Sequence, residues 1–297
     1  MLRVVTPPTA SAIVQLATVK ARFGQATTAA QDAILADLIG EVGSAFAGIL
    51  GFDIPRRRIR EDIAGYGDGR LIVTCRPVEG LAEVAVKLDG QSISGAFAED
   101  EFAGILAIEG GTEWTARAFS GVDLTPVAGA EQLRYEATYW AGYLLPGEGL
   151  RAASDVPVQH LALSGAHAAG AGTLSLVAGA TLTGTLPAGS GLAIDGDDTI
   201  YVTQAAATAA ANALSVTVLP VLAASAATGT SVQASPHYLP ESVEGLAVRA
   251  VLDLYRRRGF PGGLTSLSAA GFSASFSELG DSGLPREIEA ALRRAIG

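Results

Sequence analysis

The chain has 297 residues, of which 49% are hydrophobic and 17% charged. That allows two domains, or one domain with a large insertion, and is too apolar for a disordered chain and too rich in turn residues for a membrane bundle. With 30 acidic against 20 basic residues the net charge is −10, which argues against a sequence-reading nucleic-acid binder, since such proteins need a basic face.

The first residues carry Arg3 and then Pro7-Pro8 without a long apolar run, so no secretion signal is expected and the chain is expected to be soluble and made in a cytoplasm. A short helix is predicted over 9–23, stopped by Gly24. Thr28 followed by Gln31 fits a capping box, in which each residue satisfies a free backbone N–H at the helix start. Ile34, Leu35, Leu38, Ile39, Val42, Phe46, Ile49 and Leu50 then recur at helical spacing until Gly51. Beyond Pro55 the pattern turns to strands, predicted over 71–75, 83–88, 102–108, 113–119 and 133–139. Asp89-Gly90 and Gly110-Gly111 are hairpin-type turns between them.

Residues 152–248 contain neither lysine nor arginine, and the acids of this stretch up to Pro240 are Asp155, Asp195, Asp197 and Asp198. Such a shift in composition marks a boundary. The stretch is rich in Ala, Gly, Ser and Thr, with alternating segments over 173–177, 191–194, 199–204 and 213–219. Gly179, Pro187-Ala188-Gly189, Gly196 and Pro220 punctuate them, as in a compact β module. Its apolar run 205–227 is mostly alanine, broken by Asn212, Thr217 and Pro220, and reads as strand and turn rather than a membrane span.

Helix returns at Pro240, whose missing N–H is harmless at a first helical position. Val243, Leu246, Ala247, Ala250, Val251 and Leu254 form one face. Glu241 and Glu244 near the start and Arg256, Arg257 and Arg258 near the end suit the helix dipole, and Gly259 closes the run. A last helix is predicted from Pro285, with Ile288, Leu292 and Ile296 on one side and Glu287 and Glu289 ahead of Arg293 and Arg294. The fold class that follows is α+β: a helical core with a small sheet, built from 1–152 and 237–297, and an inserted all-β domain, barrel- or sandwich-like, over 153–236.

Little in the sequence resembles catalytic chemistry. Cys75, the one cysteine, sits in an apolar strand pattern and reads as a buried, inert thiol. His160 and His167 are too widely spaced for a zinc pair and lack a third ligand. Asp195-Gly196-Asp197-Asp198 reads as a hairpin turn, because a calcium loop would need glycine where Ile200 stands and glutamate where Ala206 stands. Gly65-Tyr66-Gly67-Asp68-Gly69 lacks phosphate-loop spacing and reads as a loop entering a strand. The triplets Arg56-Arg57-Arg58 and Arg256-Arg257-Arg258 each follow a predicted helix. They read either as solvated, dipole-matching helix ends, or as docking points for an acidic partner surface or loose phosphate contacts.

The order of segments resembles that of the head–tail connector (adaptor) proteins of tailed bacteriophages. Val5-Thr6-Pro7-Pro8 leads to a short helix, and the helix at Gln31-Asp32-Ala33-Ile34-Leu35 runs to Gly51-Phe52. Arg57-Arg58, Tyr66-Gly67, the strand ending at Cys75, Arg76-Pro77-Val78, Glu83-Val84 and Leu88-Asp89-Gly90 follow. Leu133-Arg134-Tyr135 leads to Ala141-Gly142-Tyr143, and Leu239-Pro240-Glu241 opens the helix ending at Tyr255-Arg256-Arg257-Arg258-Gly259. In the family the A-G-Y segment closely precedes the L-P-x helix; here about 95 residues intervene, which marks the insertion.

The resemblance implies a non-enzymatic virion protein, made in the bacterial host cytoplasm and placed at the neck. It implies a homo-oligomeric ring of about twelve copies, closed by head-to-tail contacts. The ring would dock on the portal protein, meet a tail terminator or stopper, and pass double-stranded DNA through its lumen without sequence-specific binding, with no cofactor, metal or membrane. The residues expected at partner interfaces are Arg56, Arg57, Arg58, Arg256, Arg257, Arg258, Phe272, Phe276, Arg293 and Arg294. Two other readings remain. One is a virion surface or tail module whose β domain binds a receptor or glycan, against which stands Tyr201 as the one aromatic residue from Ser154 to Ala234. The other is a hydrolase using a serine with an Asp/His pair.

Overall fold

The computed structural model describes residues 2–8, 12–24, 26–51, 53–64, 70–82, 84–88, 90–108, 134–258, 266–269, 272–275, 290–291 and 294. Strand β1 (Leu2–Thr6) precedes helices α1 (Leu16–Phe23) and α2 (Ala29–Leu50). Strands β2 (Arg57–Ala64), β3 (Leu71–Ile72), β4 (Ala85–Leu88), β5 (Gln91–Ile93), β6 (Ala96–Asp100), β7 (Ile105–Ile108) and β8 (Arg134–Ala141) follow. Then come β9 (Gly149–Ala152), β10 (His160–Leu163), β11 (Thr173–Val177), β12 (Leu182–Leu186), β13 (Gly191–Ile194), β14 (Ile200–Thr203), β15 (Ala207–Thr208), β16 (Ala213–Leu219) and β17 (Ser231–Ala234). Helix α3 (Glu241–Arg258) and the hairpin β18 (Ser266–Ala269) and β19 (Phe272–Ser275) complete an α+β fold.

The chain divides into two compact units. One comprises Met1–Pro8, Arg56–Leu144 and Glu148–Tyr238; the other comprises Thr9–Pro55, Leu145–Gly147 and Leu239–Gly297. This division follows a different line from the expected pairing of 1–152 with 237–297. The strands of the expected core fall with the β module, and the helices form the other unit.

In the helical unit, local chemistry sets the ends. The Thr28 hydroxyl accepts from Gln31 N–H while Gln31 Oε1 accepts from Thr28 N–H at 2.8 Å, the capping box the sequence predicts. Gly51 ends α2 at φ 78°, a left-handed conformation that only glycine takes freely, and its N–H donates to Ala47 O. Leu35, Leu38, Ile39, Val42, Phe46 and Ile49 are buried, and α2 packs on both α1 and α3. Each such side chain fully removed from water contributes about 1.5–3 kcal/mol. By length and composition α2 could also cross a membrane, with a mean hydropathy of 1.7. The first helix is shorter than predicted: Gln15 is extended, so α1 begins at Leu16, though Ile13 and Val14 are buried beside it in the core.

In the strand unit, β1-β2-β8-β4-β5 form one antiparallel sheet, with β2 paired to β8 from Arg57↔Ala141 to Ala64↔Arg134. A smaller sheet, β3-β7-β6, shares its core through Ile59, Leu71, Val86, Leu106, Tyr135 and Tyr139. Strand β3 is only two residues long against the predicted 71–75.

The β module is a closed six-stranded barrel in the order β10-β11-β16-β14-β13-β17. Strands β11, β13 and β16 match their predicted ranges. The alternation of β11 and β16 is clean because Leu174, Leu176, Leu214, Val216 and Val218 point inward, and Leu192 and Ile194 of β13 join the same core. A three-stranded sheet, β15-β12-β9, adjoins the barrel, and Leu150 of β9 joins its core. The barrel's hydrophobic cluster therefore reaches back to Gly149–Ala152, ahead of the expected boundary at 153. The predicted strand over 113–119, the Gly110-Gly111 turn, the Gly65–Gly69 loop, Asp89, Gly259 and most of the helix from Pro285 lie outside the described residues.

Candidate functional site

The first arginine triplet corrects its expectation. It is not the solvated end of a helix: Arg56 precedes β2, while Arg57 and Arg58 are its first residues. Arg56 and Arg57 are each only 7% exposed, while Arg58 is half-buried. Arg56 Nε donates to Glu79 Oε2 at 2.7 Å, Nη1 donates to Ala188 O at 3.4 Å, and the guanidinium lies 3.9 Å over the Trp140 ring. Arg57 sits beside Cys75, with Nη2 3.6 Å from Sγ.

These groups build a buried polar joint between sheet and barrel. Glu79 N–H donates to Trp140 O at 2.9 Å, and the second carboxylate oxygen of Glu79 accepts from the Ser235 hydroxyl. Ser235 Oγ in turn accepts from Gly191 N–H at 3.0 Å. At Gly191 a side chain would overlap the Leu81 carbonyl, and at Gly189 it would press on the Trp140 indole. Arg56, Glu79, Trp140, Gly189, Gly191 and Ser235 thus fit together with no room to spare. A buried charge without such partners would be strongly destabilising.

A second buried network lies within the sheet. Glu61 Oε1 accepts from Tyr139 OH at 3.0 Å and from Thr74 N–H at 2.9 Å. Burial, reinforced by the Glu61 charge, pushes the Tyr139 phenol far above its ordinary value. Cys75 is buried as expected, and its N–H donates to the Tyr139 oxygen.

His237 forms a third cluster where the chain leaves the barrel. Its Nε2 lies 2.7 Å from Glu101 Oε2 and 3.2 Å from Val78 O, and its ring packs on Phe102 and Tyr143 with centroids 5.2 Å and 6.4 Å away. Burial pulls the imidazolium down. The hydrogen bond and charge of Glu101, with the Val78 carbonyl, outweigh it, so the net shift is upward. A side chain at Gly80 would collide with the Glu101 carboxylate, so the acid is seated against bare backbone.

The three histidines are not brought together. His160 is exposed on β10, and His167 Nε2 accepts from Ser175 N–H at 3.2 Å. Among the described residues no group of three His, Cys, Asp or Glu is placed to hold a metal ion. Asp195–Asp198 form the turn between β13 and β14. There Asp197 accepts from Tyr201 OH at 2.6 Å and from Thr199 N–H at 2.9 Å, and these two hydrogen bonds lower its pKa.

Of the remaining expected interface residues, Arg256 is exposed, 3.9 Å from Asp253, and Arg294 Nε donates to Ala290 O at 3.2 Å. The side chains of Arg257, Arg258 and Phe272, and the whole of Phe276 and Arg293, lie outside the described residues. Nothing in the sequence marked Glu79, Glu101 or Trp140. Each acquires its role from contacts across long stretches of chain. No family model, no curated protein and no solved structure matches this chain.

Proposed function

We propose that the protein is a structural component of a tailed-bacteriophage virion: a ring of copies at the neck that docks on the portal, meets the tail terminator or stopper, and carries the DNA channel across the head–tail junction. The finer fold reading belongs with it: 1–152 and 237–297 as a discontinuous adaptor core, and 153–236 as an insertion. The observation that carries this reading is a hydrogen bond, Leu144 N–H to His237 O at 2.8 Å, within a parallel bridge of Leu144 to Tyr238. It sets Ala141-Gly142-Tyr143 next to the segment that leads into Leu239-Pro240-Glu241. That is the family's order once the intervening residues are removed.

The electrostatics favour the same reading. A chain of net charge −10, with a long stretch free of lysine and arginine, lets a polyanion slide past rather than gripping its phosphates. The role asks for no catalysis, cofactor or membrane. The test is sizing and electron microscopy of the purified chain, alone and mixed with portal. Rings, free or portal-bound, are the expected result. A chain that stays monomeric and leaves portal particles bare overturns the proposal.

A further inference from the structure

A surface groove of about 370 Å³ lies on the barrel over three neighbouring strands, β10, β17 and β13. In one row His160 pairs with Gln233, which pairs on its other side with Ala193. In the next row Ala162 pairs with Ser231, whose carbonyl accepts from Asp195 N–H at 2.9 Å. The inward neighbours Leu161, Val232, Leu192 and Ile194 are core residues, so His160, Gln233, Ser231 and Asp195 share the outer face. Ala193 and Gly196, both small, also line the groove.

All four polar side chains are exposed, and none forms a hydrogen bond to another described residue. The groove therefore offers an imidazole, a carboxamide, a hydroxyl and a carboxylate, all with unused hydrogen-bonding capacity. No lysine or arginine lines the groove, so it offers no permanent cation to a phosphate, sulfate or carboxylate. Closely spaced donors and acceptors over a small-residue floor suit the vicinal hydroxyls of a sugar. We propose that this groove binds a neutral saccharide. With four hydrogen bonds of ordinary net strength and no aromatic ring to stack on, the dissociation constant is on the order of 1 mM.

The site does not depend on the ring reading. A monomer would bind the sugar equally, and rings that bind none would leave the connector role standing. The test is saturation-transfer difference NMR on the full chain with glucose, galactose, mannose, N-acetylglucosamine and N-acetylgalactosamine at about 10 mM, ten times the expected constant. Sialic acid and spermidine serve as charged probes. At least one neutral sugar is expected to give a signal. Gln233→Ala should weaken its binding about tenfold, and Ala193→Trp, which fills the groove from the outer face, should abolish it. Both variants should keep the wild-type circular dichroism and melting temperature. The proposal is overturned if no neutral sugar binds, if only a charged probe binds, or if binding survives both substitutions.

Discussion

Arg56 and Glu79 meet at 2.7 Å with side chains only 5% and 2% exposed, and the Ser235 hydroxyl closes the far side of the carboxylate. Removing one member strands the other in a site that water cannot reach. Glu79→Ala should therefore cost about 3–5 kcal/mol, measured by urea unfolding. The double change Arg56→Met, Glu79→Leu should recover most of that loss, since neither charge then remains buried. A single variant as stable as the wild type would mean the pair is solvated in solution.

His237 makes stability depend on pH. Its pKa is raised in the folded chain, so it binds its proton more tightly there than when unfolded. The stabilisation is complete below the ordinary histidine value of about 6.5 and is lost as the pH rises through the higher folded value. His237→Gln keeps a side-chain donor but cannot titrate. The stability gap between wild type and variant should be widest near pH 6 and close toward alkaline pH. A gap that stays constant across that range would assign His237 a packing role alone.

Gly191 is required by close approach, not by backbone angle. A methyl group there would overlap the Leu81 carbonyl, and a carbonyl cannot swing aside as a side-chain tip can. Gly191→Ala should lose about 1–3 kcal/mol or more. Gly179→Ala, where nothing lies within 4 Å, should stay within about 0.5 kcal/mol of wild type. Equal melting temperatures for the two would contradict the close approach of barrel and sheet.

Thr28→Ala removes one half of the capping box of α2 and should cost about 1 kcal/mol. Thr28→Ser keeps the hydroxyl and should recover most of it. The comparison needs only thermal melts of the three chains.

The sequence was most readable where structure is decided locally. Gly24, the Thr28–Gln31 pair and Gly51 act on their own helix ends, and each stands where the pattern placed it; Pro240, expected at the first helical position, stands one residue ahead of α3. Strands β11 and β16 were readable because their inward residues are all Leu or Val. Strand β2 was hidden because its inward positions are Arg57, Ile59 and Glu61, so two of the three buried residues look like surface. Strand β17 offers only Val232 and Ala234 inward, too few to register as a period. The arginine triplet was misplaced for a related reason. What buries Arg56 are residues 79, 140 and 188, which only the folded topology delivers.

The adjacency of Leu144 and His237 has a practical side. Since the backbone departs and comes home at neighbouring points, a graft with closely spaced ends could stand in for the barrel without disturbing the strand register beneath it. The condition is set by what the barrel now covers. A replacement must bring its own hydroxyl to Glu79 and its own lid for the Trp140 indole, or the scaffold will inherit a dry carboxylate and a bare aromatic ring.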